Sequence, residues 1–345
     1  MARRKIWVWA IMGIMIAVAL GINPFFGGRD GAPVESCSWA AAPIGAGVGT
    51  IKTTTFEDGH KLFDLVPAFI EYAEKGLKAD GTSRRAWWEA KVESVHPEFF
   101  NQVIYRSFKG QARERFKQEI INQFWNQTVE KMDEVRTLDQ DIARKVLESR
   151  KVFKKNFPDF NPDCDYYVTI SFSFHGKAVE LNGRTILALG LENFSPGGPE
   201  LDMILAHEQF HLHHFRAFSV SGGLYRGVWA EGLATVASEK LVPGHRFSQY
   251  LGFTGRRMNE IHERYQDLVK DLGKNIDSTD PAVKRAYLGM EDNQLGVPPG
   301  AGYYLGENIV QVLMKQGHGL GEMARWEAEK VRRKMWEVLP ALKRD

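Results

Sequence analysis

The chain has 345 residues, 43% of them hydrophobic, enough to bury a sizeable core in one large domain or two small ones. Its 45 basic and 43 acidic residues nearly cancel, to a formal charge of +2. Such a balanced chain carries no electrostatic footprint for nucleic acid or for a polyacidic partner, so neither is expected.

Residues 1–26 begin with Arg3, Arg4 and Lys5 and continue as an unbroken apolar run from Ile6 to Ile22. This is the pattern of an export signal peptide or of a single membrane anchor. Ala17 and Ala19 offer an A-x-A cleavage site, so both outcomes stay open. In either case the basic end stays inside and the rest is translocated. The domain is therefore expected on the extracytoplasmic side, tethered to the membrane by its amino-terminal segment, or secreted if the signal is cleaved. Residues 27–52 are rich in Gly, Ala and Pro without an apolar period and read as a tether. Cys37 follows Glu35-Ser36, which argues against lipidation. Cys37 and Cys164 are the only cysteines; a bridge between them and two separate thiols are both compatible with an oxidising compartment.

The folded part is expected over residues 53–345, with no internal repeat. Residues 53–157 read as helical throughout, with apolar positions such as Phe69, Trp88, Phe100, Ile120, Phe124 and Val146 forming core. In residues 158–245 the period changes. The β-branched and aromatic stretches 166–174 and 184–191 read as paired strands, with Asn182-Gly183 as a turn signal. Pro196 to Pro199 breaks the chain, and a helix is predicted from near Glu200. Residues 246–345 read as helical again, giving an α+β class that is mainly helical with a small β-sheet.

The predicted helix contains "LAHEQFHLHHF", residues 205–215. His207 and His211 stand one turn apart on one face and can point two imidazoles at one ion. Glu208, beside the first, can take a proton from a water held there. The alternative is two half-buried histidines on an amphipathic helix. The longer H-E-x-x-H-x-x-G-x-x-H pattern is excluded, because the chain has His214 and Ala217 where it requires Gly and His. His213 and His214 fall off the 207/211 face and are expected to be solvated or supporting residues. The third ligand is expected from a second helix, "VWAEGLATVASEKL", where Glu231 is an acid in an apolar setting twenty residues after His211. A cation would account for a buried carboxylate there better than packing does, although a cap or salt bridge remains an alternative. Thr235, one turn on, is placed to orient a ligand.

HEQFH followed by AEGLA resembles the gluzincin branch of zinc metallopeptidases, and more narrowly a group of zinc-dependent proteases once catalogued only as a domain of unknown function. "SFSFHGKAVELNGRTILALGLENF" before the motif and "PPGAGYYLGENIVQVLMKQ" after it are similar to that group as well. The resemblance covers roughly residues 55–338. It implies one Zn2+ per chain on His207, His211 and Glu231, with Glu208 as general base. It also implies a zincin-like fold, in which an edge strand of the sheet lies above the HExxH helix and holds an extended peptide. Members often present a Tyr or His to the oxyanion, which makes Tyr303 and Tyr304 candidates, with core packing of both rings as the alternative. His318 lies in a loop-like stretch, and "LGMEDN", residues 288–293, reads as an exposed loop. The expected function is thus hydrolysis of peptide bonds in a peptide or protein substrate by metal-activated water. The alternative is a non-catalytic binding or assembly protein of the cell envelope that keeps the fold.

Overall fold

The computed structural model describes residues 50–76, 81–106, 108–161 and 164–342. The amino-terminal apolar run and Cys37 lie outside these residues; Cys164 is buried. No helix among the described residues is long and apolar enough to cross a membrane. The class is α+β and mainly helical, with one five-stranded sheet. The described residues divide into two units, one comprising 50–143 and 164–196 and the other 144–161 and 197–342.

The first unit holds the sheet. Its strands are β1 (Lys52–Thr55), β2 (Lys61–Asp64), β3 (Tyr166–Thr169), β4 (Gly176–Leu181) and β5 (Arg184–Gly190), in the order β1-β2-β3-β5-β4. Asn182 and Gly183 both take left-handed backbone, at φ 52° and 74°. Positive φ at both positions is the requirement of a type I′ two-residue hairpin turn, and β4 and β5 pair antiparallel across it. The expected pair 166–174 and 184–191 is therefore corrected in detail. β3 pairs with β5 in parallel and stops at Thr169. Beyond it the Glu192 carboxylate accepts from the Ser171 and Phe172 amides at 3.0 and 2.7 Å, pinning Phe172 at φ 63° and ending the strand.

The expectation of unbroken helix over 53–157 is also corrected, because β1 and β2 precede the first helix. Four-residue strands are too short to show a period. Helices α1 (Val66–Gly76), α2 (Gly81–Lys91), α3 (Gly110–Gln123) and α4 (Met132–Asn156) follow. Phe69 gathers Trp88, Phe100, Phe124 and Phe172 within 5.6–6.4 Å of its ring, so these aromatics are core as their spacing predicted.

The second unit is helical: the last turns of α4, then α5 (Glu200–His214), α6 (Leu224–Leu241), α7 (Gly255–Glu263), α8 (Tyr265–Asn275), α9 (Pro281–Leu288), α10 (Ala301–Lys315) and α11 (Ala328–Val338). Glu200 and Asp202 place acids in the first turn of α5, where the helix dipole favours them, and Lys145 of α4 pairs with Asp202 at 2.8 Å. Both α5 and α6 are buried on nearly every side, as the apolar residues all round each helix require. They run antiparallel, since Met203 meets Ser238 while His207 and His211 meet Glu231.

α10 packs on α6 through backbone. A methyl group on Gly306 would stand 2.2 Å from the Val228 carbonyl oxygen, and one on Gly232 2.3 Å from the Gly306 carbonyl carbon. Only glycine permits this approach. The stretch 288–293 is only in part the exposed loop expected: Leu288 ends α9, Leu288 and Met290 are buried, and Asp292 is exposed.

His213 and His214 are buried as well, which corrects the expectation of solvated rings. His214 Nδ1 bonds the Ala324 carbonyl at 2.8 Å, its ring stacks on Phe218, and burial pushes its pKa down to about 4. His213 lies among Phe153, Phe157, Phe160 and Phe210, and neither of its ring nitrogens meets a hydrogen-bond partner among the described residues. Orphaned polar atoms in an aromatic box cost stability that an apolar ring of similar shape does not. His213→Phe is accordingly expected to raise unfolding free energy by roughly 1 kcal/mol, read as a higher denaturation midpoint with unchanged metal content. A lower midpoint would show that the box needs the smaller ring.

Candidate metal centre

Helical spacing carries His207 and His211 to the face of α5 that meets α6, and the antiparallel return brings Glu231 opposite them. His207 Nε2 and His211 Nε2 stand 3.0 Å apart, and each lies near Glu231 Oε2, at 3.1 and 3.3 Å. These donors form a group able to hold a metal ion. Around an ion with tetrahedral ligands at about 2.0–2.1 Å, neighbouring donors are about 3.3 Å apart. The observed triangle is close to that spacing. Two imidazole nitrogens facing each other at hydrogen-bond distance beside a carboxylate are otherwise hard to satisfy, since at most one proton fits between them.

The electrostatics agree with a cation-binding role. Burial alone would raise the Glu231 carboxyl, but the charge of His211 and hydrogen bonds from both histidines hold it well below the ordinary carboxylate range. Burial works against charge on His211, yet Glu231 and then Glu208 keep its pKa above the usual value. The carboxylate is thus held ionised in a buried place, ready to balance positive charge.

Glu208 is buried and acts electrostatically on both His211 and Tyr303. Of the two candidate tyrosines, Tyr303 comes to the cluster. Its ring lies parallel to that of His207 with centroids 6.4 Å apart, and burial followed by Glu231 and Glu208 drives its hydroxyl pKa well up. It therefore stays a proton donor. Tyr304 instead turns its ring to Phe247, His262 and Tyr265, with centroids 5.4–5.8 Å apart. Thr235 donates to the Glu231 backbone carbonyl at 2.8 Å, so it fastens the helix turn and not the carboxylate. His318 pairs with Glu322 and packs its edge on Trp326, as a residue beside a short helix.

One contributor escaped sequence reasoning. Phe215, just past the end of α5, stacks on His211 with centroids 4.8 Å apart and planes at 19°, although 40% of it is exposed. The i, i+4 spacing from His211 was its only signal. No protein-family model, curated protein or solved structure matches the chain.

Proposed function

We propose that the chain is a zinc-dependent peptidase of the gluzincin kind, exported or membrane-anchored, acting on peptide or protein substrates. The observation that carries the reading is the convergence of two imidazole nitrogens and one carboxylate oxygen within 3.0–3.3 Å of one another, with Glu208 beside them. Two His and one Glu form a donor set that suits zinc and leaves a position for water and substrate, whereas purely structural zinc is usually closed by four protein ligands. Zinc bound there would lower the pKa of a water and polarise the scissile carbonyl. Glu208 takes the proton of the attacking water and returns it to the departing amine. Tyr303, protonated throughout the neutral range, donates its hydroxyl to the oxygen that gains charge. With His207 and His211 neutral as ligands, Glu231 would be the one anionic donor of the set and would offset part of the charge of the ion. The zincin-like architecture belongs to the same reading.

Elemental analysis of the metal-replete chain tests it. Wild type is expected to carry about one zinc per chain, and Glu231→Ala close to none at the same concentration, with its far-ultraviolet dichroism preserved. Wild type that holds no zinc would end the reading. Zinc without cleavage of any peptide in a mixed library would leave the envelope-binding alternative in its place.

A further inference from the structure

Histidines that ligate metals ordinarily donate their other ring N–H to a carboxylate or carbonyl, which fixes the plane of the ring. His211 departs from this. Its Nε2 faces the cluster, but Nδ1 is buried and meets no hydrogen-bond acceptor among the described residues. What the ring does meet is Phe215, in a near-parallel stack 4.8 Å away.

Phe215 is held firmly enough to serve. Its amide bonds the His211 carbonyl at 2.8 Å, closing the last turn of α5. The preceding residue, His214, is anchored to the Ala324 carbonyl at 2.8 Å. Among the described residues only four large hydrophobic side chains are exposed, and Phe215 is the one whose ring touches the cluster. Its ring also meets His214, with centroids 5.9 Å apart, but the near-parallel stack is the one on His211.

We infer that Phe215 is the positioning residue of the metal centre, replacing by ring stacking the hydrogen bond that normally orients a ligand histidine. The inference rests on the metal-site reading and adds to it the means by which His211 is aimed. Phe215 has no titratable group and so takes no part in proton transfer.

The test is zinc affinity of the full chain, measured by competition with a chromophoric chelator, with zinc alone as the probe. Phe215→Ala is expected to weaken binding about tenfold, the low end of the range for loss of an orienting group. Phe215→Tyr and Phe215→Trp keep a stacking face and should restore most of that loss. Phe218→Ala is the control, because it removes the equivalent stack from His214, which is not a ligand. It should lower the melting temperature and leave zinc affinity within about twofold of wild type. The cobalt-substituted chain supplies a second readout: its visible d–d bands should broaden or shift in Phe215→Ala and not in Phe218→Ala.

Wild-type affinity in Phe215→Ala would overturn the inference while leaving the metal centre intact. Equal losses in Phe215→Ala and Phe218→Ala would overturn it too, since both would then act through general stability. Wild type without zinc would overturn both this inference and the reading beneath it.

Discussion

Glu208→Gln is expected to lower kcat for peptide hydrolysis by about 10²–10⁴-fold, while zinc content and KM stay near those of wild type. Gln matches Glu in size and keeps one accepting oxygen, so the buried position next to the cluster should tolerate it. What it lacks at neutral pH is an oxygen basic enough to take a proton from water. Because the missing interaction belongs to the transition state, the loss should appear in kcat and kcat/KM alike. The variant also separates Glu208 from the ligand set, since a change that removed zinc would reassign it as a fourth ligand. Undiminished turnover would move the base elsewhere. In the proposed reading Glu231, grouped with His207 and His211, is a ligand, so the proton-accepting role is assigned to Glu208.

The second large effect lies in the packing that presents Tyr303. In Gly306→Ala the new methyl would stand 2.2 Å from the Val228 carbonyl oxygen and 3.1 Å from the Gly232 amide nitrogen. These are backbone atoms of α6 and no rotamer relieves them, so α10 must move away. Overpacking of this severity costs about 3 kcal/mol, or roughly 6–12 °C in melting temperature for a unit of this size. Tyr303 precedes Gly306 by less than one turn and Glu231 precedes Gly232 directly, so activity should fall by more than the unfolded fraction explains. Gly273→Ala is the contrast. That glycine lies within α8 with only a Leu339 methyl at 3.9 Å from the new carbon. Removing a helix-interior glycine there should stabilise by about 0.5–1 kcal/mol. Similar melting temperatures for both variants would refute the packing argument.

These residues show how far the sequence reaches. His207 and His211 were legible as a pair because the i, i+4 spacing puts two imidazoles on one helix face. Glu231 was legible through cost, as a carboxylate has little reason to stand in an apolar helix without a cation. Tyr303 and Tyr304 could not be told apart. Adjacent helix residues point about 100° from each other, and which one faces α6 depends on where α10 docks. The docking itself had a signal that went unused. Gly302 and Gly306 are four apart, which aligns two bare patches on one helix face, and Gly302 accordingly meets Tyr287 and Leu288 as Gly306 meets α6. β1, β2 and the parallel alignment of β3 were out of reach for another reason. β1 and β2 pair locally but are only four residues long each, whereas β2 pairs with β3 across about a hundred positions, as Leu62 with Tyr166, and no local pattern encodes that.

The interleaving of the two units has a consequence for how the chain is made. Phe153 and Phe157 emerge from the ribosome well before Phe210 and His213, the rings they pack against, because the intervening stretch 164–196 belongs to the other unit. Until α5 arrives, the last turns of α4 display an unmatched aromatic surface. Nascent chains at this stage should therefore be the species that aggregates or recruits a holdase. For the same reason no single cut, by a protease or a gene fusion, yields either unit whole.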